Sequence, residues 1–296
     1  MLTFPPGKAE RFRIGAPEAW QQEKCSKLPI VFYTSGDAQL FYSVQGQGPD
    51  LVLLHPMPCN HRFWVELAAA LAPKYRVILP ELRGHGQSEA GDGPITMEKL
   101  GRDMERLLDE LGIGRAMFAG CSIGGYTLFE LWRKAPARVS ALAFCCSRPQ
   151  ADSEANRAKR EEWIQKVGER GTGEWIESML EQLIGATARR RAPEKIGEAR
   201  EMMQAVTPAA AIALQQGLAA RPDSVETAKT IRVPTFVLAG GEDQSSTTAD
   251  MKLLADLIRS GGGAEFTEIR DAGHYAPWEQ PLLAGRLLRR FFDSVA

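Results

Sequence analysis

Ser122 stands in Gly120-Cys121-Ser122-Ile123-Gly124, between a short apolar run and a helical pattern. A sharp strand-to-helix turn crowds side chains two positions either side of its apex, where this chain has glycines. Such a turn also aims a helix N-terminus, with its free amide hydrogens and positive dipole end, at whatever reacts on the hydroxyl. A serine hydroxyl attacks a carbonyl only when a base takes its proton. The chain has four histidines, His55, His61, His85 and His274. His55 ends an apolar run, His61 opens a helical segment and His85 lies in the turn-rich "ELRGHGQSE", so these three read as structural. His274, in "DAGHYAPWEQP", falls in a loop between the last apolar run and the last helical pattern and is the candidate base. The imidazole needs a carboxylate to set its tautomer and stabilise its charged form. "LAGGEDQSS" offers Glu242 and Asp243 just past another run. Asp243, one residue further along the loop, is the better placed, with Glu242 as the alternative. The other common position for the acid, after the run at 139–146, holds no carboxylate before Asp152. Cys121 reads as a small buried residue pointing away from the serine.

These residues need elements that bring them together. Short apolar runs recur at 30–34, 39–44, 51–55, 76–79, 116–119, 139–146, 233–239 and 265–269. Several are too uniformly apolar for a strand with one wet face and suit a sheet covered on both sides. Helical patterns lie between the later runs, at 63–72, 97–111, 124–135, 248–260 and 282–293, the second opened by Thr96 as N-cap and stopped by Gly112. The alternation predicts an α/β fold with a mostly parallel eight-stranded sheet and helices on both faces. In such a sheet the loops at the strands' carboxyl ends share one edge, so Ser122, Asp243 and His274 would meet there. From 148 to 230 the pattern is helical only, with Thr207 and Pro208 opening one helix. This block reads as a helical lid inserted into a core formed by 28–147 and 231–296, and residues 1–27 read as an N-terminal extension.

Composition narrows the function classes. The 296 residues are 44% hydrophobic and 25% charged, and 36 basic side chains nearly cancel 37 acidic ones. No global field favours nucleic acid or an anionic membrane as partner. The run Arg189-Arg190-Arg191 reads as a solvated helix end. Five cysteines without framework spacing suit reduced thiols. No apolar run could span a bilayer and no secretory signal is visible, so a cytoplasmic protein is expected.

From about residue 30 to 296 the chain resembles the α/β-hydrolase superfamily. The resemblance rests on "LLHPMP", "ELRGHGQSE", "GCSIGG", "LAGGED" and "GHYAPWEQP", in the family's order and approximate spacing. The order Ser122, Asp243, His274 is that of the fold, unlike the chymotrypsin or subtilisin types. Within the superfamily the chain resembles small-ester hydrolases and enol-lactonases of the 3-oxoadipate type, through "GGYTLFELWRKAPARVSALAF" and "SRPQADSEANRAKRE". The resemblance implies a serine hydrolase acting on a small-molecule carboxylic ester or lactone, with no metal or organic cofactor. It further implies an oxyanion hole from the backbone amides of Met57 and Ile123. One departure stands out: the family usually has His-Gly where this chain has His55-Pro56, and proline has no amide hydrogen. Glu81 also stands where aspartate is commoner, in a turn whose Arg83 and His85 read as loop anchors. In this superfamily the same triad also serves carbon–carbon hydrolysis, thioester cleavage, acyl transfer and perhydrolysis, and some members bind ligands as receptors. Serine at the turn argues against dehalogenase and epoxide hydrolase chemistry, which needs a carboxylate nucleophile. Trp132 on the helix after the serine, and Trp163, Trp175 and Met179 in the lid, are candidates for apolar pocket wall. Arg148 is a candidate for a substrate carboxylate, or for a lid hinge.

Overall fold

A computed structural model describes residues 31–259 and 263–296; the expected extension at 1–27 lies outside the described residues. Eight strands form one sheet: β1 (Val31–Ser35), β2 (Ala38–Gln45), β3 (Asp50–Leu54), β4 (Arg76–Pro80), β5 (Ala116–Cys121), β6 (Val139–Cys145), β7 (Thr235–Gly240) and β8 (Ala264–Ile269). Their spatial order is β1-β2-β4-β3-β5-β6-β7-β8. The β1–β2 and β2–β4 pairs are antiparallel, and β4, β3, β5, β6, β7 and β8 run parallel. All of β5 and β7 is buried, as an apolar strand covered on both faces must be.

The core helices are α1 (Val65–Leu71), α2 (Met97–Glu110) and α3 (Ile123–Lys134). A 3₁₀ turn at His61–Trp64, capped by the Asn60 side chain, precedes α1. The Thr96 hydroxyl accepts from the Lys99 amide, a cap worth about 1 kcal/mol. Met97, Leu100, Met104, Leu107 and Leu108 face inward from α2. Six helices stand between β6 and β7: α4 (Glu154–Arg170), α5 (Gly173–Leu183), α6 (Ala186–Arg191), α7 (Glu194–Met203), α8 (Pro208–Ala219) and α9 (Val225–Lys229). The arginine triplet forms the last turn of α6. The chain closes with α10 (Thr248–Arg259), α11 (Ala276–Glu279) and α12 (Pro281–Asp293). Helix packing sorts α1 with α12 and α2 with α3, α9 and α10, so both faces of the sheet are covered.

Two boundaries differ from the apolar pattern for backbone reasons. The run at 139–146 ends as a strand at Cys145, because Cys146 takes a positive φ of 48°. The run at 233–239 begins as a strand only after Pro234, which has no hydrogen to donate to a ladder.

Candidate active site

At the carboxyl end of β5 the chain reverses within one residue into α3, and Ser122 is that residue, with φ 53° and ψ −116°. A side chain at positive φ costs about 1–3 kcal/mol, offset here by the packing that surrounds it. The glycines are required by close approach. A Cβ on Gly120 would lie 2.5 Å from the Gly124 carbonyl carbon, one on Gly124 2.4 Å from the Leu54 oxygen, and one on Gly125 2.2 Å from the Ser147 hydroxyl. The Ser122 carbonyl accepts from the Tyr126 amide (3.0 Å) and the Ser147 hydroxyl (3.1 Å), which pins the turn from both sides. Ser122 is half-buried.

Past β8, the loop at 271–275 crosses the carboxyl ends of β7 and β6 and reaches β5 and the loop after β3. Cys146 and Cys121 direct their sulfurs at the Gly273 and His274 carbonyls (3.8 and 3.5 Å). The His274 amide donates to the Leu183 oxygen at 2.9 Å, and the Tyr275 hydroxyl donates to the Met57 oxygen at 2.9 Å. Every turn of this loop is therefore tied to another element, and His274 is 3% exposed. Its Nδ1 lies 2.8 Å from Asp243 Oδ2. The other oxygen of Asp243 accepts the amides of Ser245 (2.7 Å) and Ser246 (3.0 Å), so the carboxylate has one oxygen for its own loop and one for the imidazole. Glu242 turns the other way and accepts from the Thr187 amide (2.8 Å) and hydroxyl (2.5 Å), which hold its carboxyl below the usual range against the effect of burial.

Met57 lies in the loop after β3. The Pro56 carbonyl, in the same peptide unit as the Met57 amide, accepts from Cys59 N–H (2.9 Å) and from His55 Nδ1 (3.0 Å). His55 Nε2 accepts from the Leu82 amide (3.0 Å), which leaves the ring proton on Nδ1. Burial, with the ring of His85 only 4.9 Å away, pushes the His55 pKa well below its ordinary value and keeps the ring neutral. The Met57–Pro58 peptide is cis. Neither the Met57 nor the Ile123 amide donates to an acceptor among the described residues.

Below the site, Arg83 binds Asp103 (2.7 and 3.0 Å), Asp37 (2.7 Å) and the Ser35 oxygen (2.5 Å), and Glu81 receives His61 Nδ1 at 2.6 Å and the Gln87 amide at 2.5 Å. Arg83 thus ties its turn to other elements, as expected of a loop anchor, whereas the ring of His85 bonds within its own turn, to the Arg83 (2.8 Å) and Leu82 (3.3 Å) oxygens. Cys121 is fully buried, and burial holds its thiol proton well above the ordinary range.

The candidate pocket residues divide. Trp132 sits at the far end of α3 from Ser122, its indole bonded to the Thr230 hydroxyl (3.0 Å) before β7, so it is core and not pocket wall. Trp175 and Met179 share the buried face of α5 with Leu183, and the Trp175 indole nitrogen has no partner among the described residues. Trp163 is partly buried on α4 with Lys166 over its ring (5.0 Å). Arg148 donates to Asp152 (3.2 Å), and Arg160 and Arg221 bind the same carboxylate. This cluster ties the start of the inserted helices to their end, the kind of contact the hinge alternative for Arg148 requires, through partners that sequence spacing could not show. Sequence reasoning also missed Tyr275 and Glu279. Glu279 accepts the amides of Gly273 (2.9 Å), Gly185 (3.1 Å) and Tyr275 (3.2 Å), and burial pushes its carboxyl up.

A strained serine at a strand-to-helix turn, over a mostly parallel eight-stranded sheet with a buried carboxylate–imidazole pair on later loops, defines a hydrolase class. The chain belongs to the alpha/beta hydrolase fold family, whose model matches residues 49–281. Among its relatives, 3-oxoadipate enol-lactonase 1 of Acinetobacter baylyi is 30% identical over 264 residues, covering 86% of this chain and 93% of that protein. A thermophilic esterase from Thermogutta terrifontis superposes with a TM-score of 0.85 at 32% identity, covering 90% of this chain and 99% of the other. The enol-lactonase of Burkholderia xenovorans gives 0.82 at 26% identity, covering 89% and 100%. No described helix is long and apolar enough to cross a membrane.

Proposed function

We propose that this enzyme cleaves a small carboxylic ester or lactone through an acyl-enzyme on Ser122. The observation that carries the reading is the buried 2.8 Å contact between His274 Nδ1 and Asp243, on a loop whose preceding and following residues reach the elements beside Ser122. Asp243 accepts the Nδ1 proton, so Nε2 is the ring's free base and takes the Ser122 proton as the hydroxyl attacks the carbonyl. The imidazolium then passes that proton to the leaving alkoxide, and water repeats the sequence in reverse. Charge on the carbonyl oxygen is met by the amides of Met57 and Ile123, with the dipole of α3 behind the second. Ester and lactone cleavage is named for the esterases and enol-lactonases among the chain's relatives. The helices between 148 and 230 form the lid on this reading, with Trp163, Trp175 and Met179 toward the substrate and Arg148 at the hinge. Support comes from the hydrogen bonds of Leu183 with His274, of Gly185 with Glu279 and of Thr187 with Glu242. Ser122→Ala should abolish turnover of aryl esters and labelling by a fluorophosphonate. Retention of either overturns the assignment, and mass spectrometry of the acylated protein locates the adduct.

A further inference from the structure

The amide of Met57 can meet a developing oxyanion only if its peptide plane is held, and the flanking prolines offer no amide of their own for that purpose. The peptide before Met57 is held through the Pro56 carbonyl, by Cys59 and His55. The peptide after it is held through the Met57 carbonyl, whose partner is the Tyr275 hydroxyl at 2.9 Å. Tyr275 is fully buried, so it does not reach a substrate. Its ring packs edge-on against Phe63, 5.5 Å between centroids, in the turn that follows the same loop. Its own amide is fixed by Glu279 (3.2 Å), and it directly follows His274 in the chain. One two-residue segment thus carries the imidazole and grips the loop across 218 positions of sequence.

We propose that Tyr275 is a positioning residue for the oxyanion hole, holding the Met57 amide in register with the His274–Ser122 pair through its hydroxyl; the inference rests on the serine-hydrolase reading above. Burial pushes the phenol well above its ordinary pKa, so it remains a donor across the working range. The step assisted is the one in which the carbonyl oxygen gains charge, and ground-state binding is untouched. Tyr275→Phe removes only the hydroxyl and leaves the ring against Phe63. It should lower kcat on a neutral aryl ester about 10- to 100-fold, with KM changed less than about twofold. A trifluoromethyl ketone, which forms a tetrahedral oxyanion adduct on serine, should bind more weakly by the same factor. Tyr33→Phe removes a comparable buried hydroxyl, bonded to the Asp103 oxygen (3.2 Å) away from the site, and should leave kcat unchanged. In a Met57→Pro background, which lacks the amide, Tyr275→Phe should lower kcat no further. Melting curves on each variant separate loss of fold from loss of function. The proposal is overturned if Tyr275→Phe keeps more than half its kcat, loses activity through KM alone, or adds its full loss on top of Met57→Pro. Should Ser122→Ala stay active, the serine reading itself fails; should Ser122→Ala be dead and Tyr275→Phe normal, only this inference does.

Discussion

Replacing Asp243 by asparagine tests the proposed triad most sharply, because the surroundings dictate how the amide must sit. One oxygen of Asp243 accepts two backbone amides, from Ser245 and Ser246, at 2.7 and 3.0 Å. An asparagine keeps those bonds only by placing its carbonyl oxygen there, which turns its NH₂ toward His274 Nδ1. Nδ1 must then accept, the ring proton moves to Nε2, and no lone pair remains to take the serine proton. The flipped amide fares no better: it faces NH₂ against two N–H groups inside a site where both side chains are nearly inaccessible. A wrongly held tautomer in a serine triad costs about 10⁴ in kcat, roughly 5.4 kcal/mol of barrier. Initial rates on an aryl ester, with active sites counted by phosphonate titration, measure the loss. Glu242→Gln is the comparison. It loses a charged contact to Thr187 but touches neither the imidazole nor a group that orients it, and should keep kcat within about threefold, since only contacts that strengthen in the transition state set kcat. A loss below tenfold for Asp243→Asn, or a larger loss for Glu242→Gln, refutes the assignment.

Gly124→Ala puts a methyl 2.4 Å from the Leu54 oxygen, a backbone atom that cannot step aside, and should lower both stability, by about 1–3 kcal/mol or more, and kcat. Gly197→Ala, in the interior of α7 with nothing within 4 Å of the new methyl, should instead raise stability by about 0.5–1 kcal/mol; urea titration of the pair checks both signs. Burial pushes the His85 pKa down to about 4, so between pH 6.5 and 4 the unfolded chain binds a proton that the folded one refuses. Stability should therefore fall as pH drops through that window, with His85 contributing about 3 kcal/mol in full below it. Thermal melts at pH 7.5, 6 and 5 should show a shallower fall for His85→Asn, whose amide can keep the bond to the Arg83 oxygen; an identical slope refutes the attribution.

The eight strands and the main core helices were legible because apolar runs and 3.6-residue periodicity are local signals. Ser122 was legible for the same reason, since the glycines its turn demands lie within three residues of it. Asp243 and His274 could be placed on loops by their position after strands, but their contact joins residues 31 apart and needed coordinates. Tyr275, Glu279 and the Asp152 cluster were invisible: each acts through partners brought near by the fold, and nothing in "GHYAPWEQP" marks a tyrosine as reaching residue 57. Trp132 misled because an aromatic on the helix behind the serine looks alike whether it faces a pocket or, as here, the opposite end of the sheet. The end of α6 was marked by its arginine triplet, but the short α9 was missed because five residues hold too little periodicity to separate a helix from a turn.

Pro56 shows how a departure from the family pattern can be absorbed. Glycine at this position would contribute an amide and a flexible backbone; proline removes both. The carbonyl remains, however, and it is the carbonyl that His55 and Cys59 hold. His55 can donate to it because burial keeps the ring neutral and the Leu82 amide occupies Nε2, so the proton resides on Nδ1. A trans peptide directs its N–H opposite to its C=O, so gripping Pro56 O aims Met57 N–H. The amide assigned to the oxyanion is thus oriented from its far side, by groups that never meet the substrate.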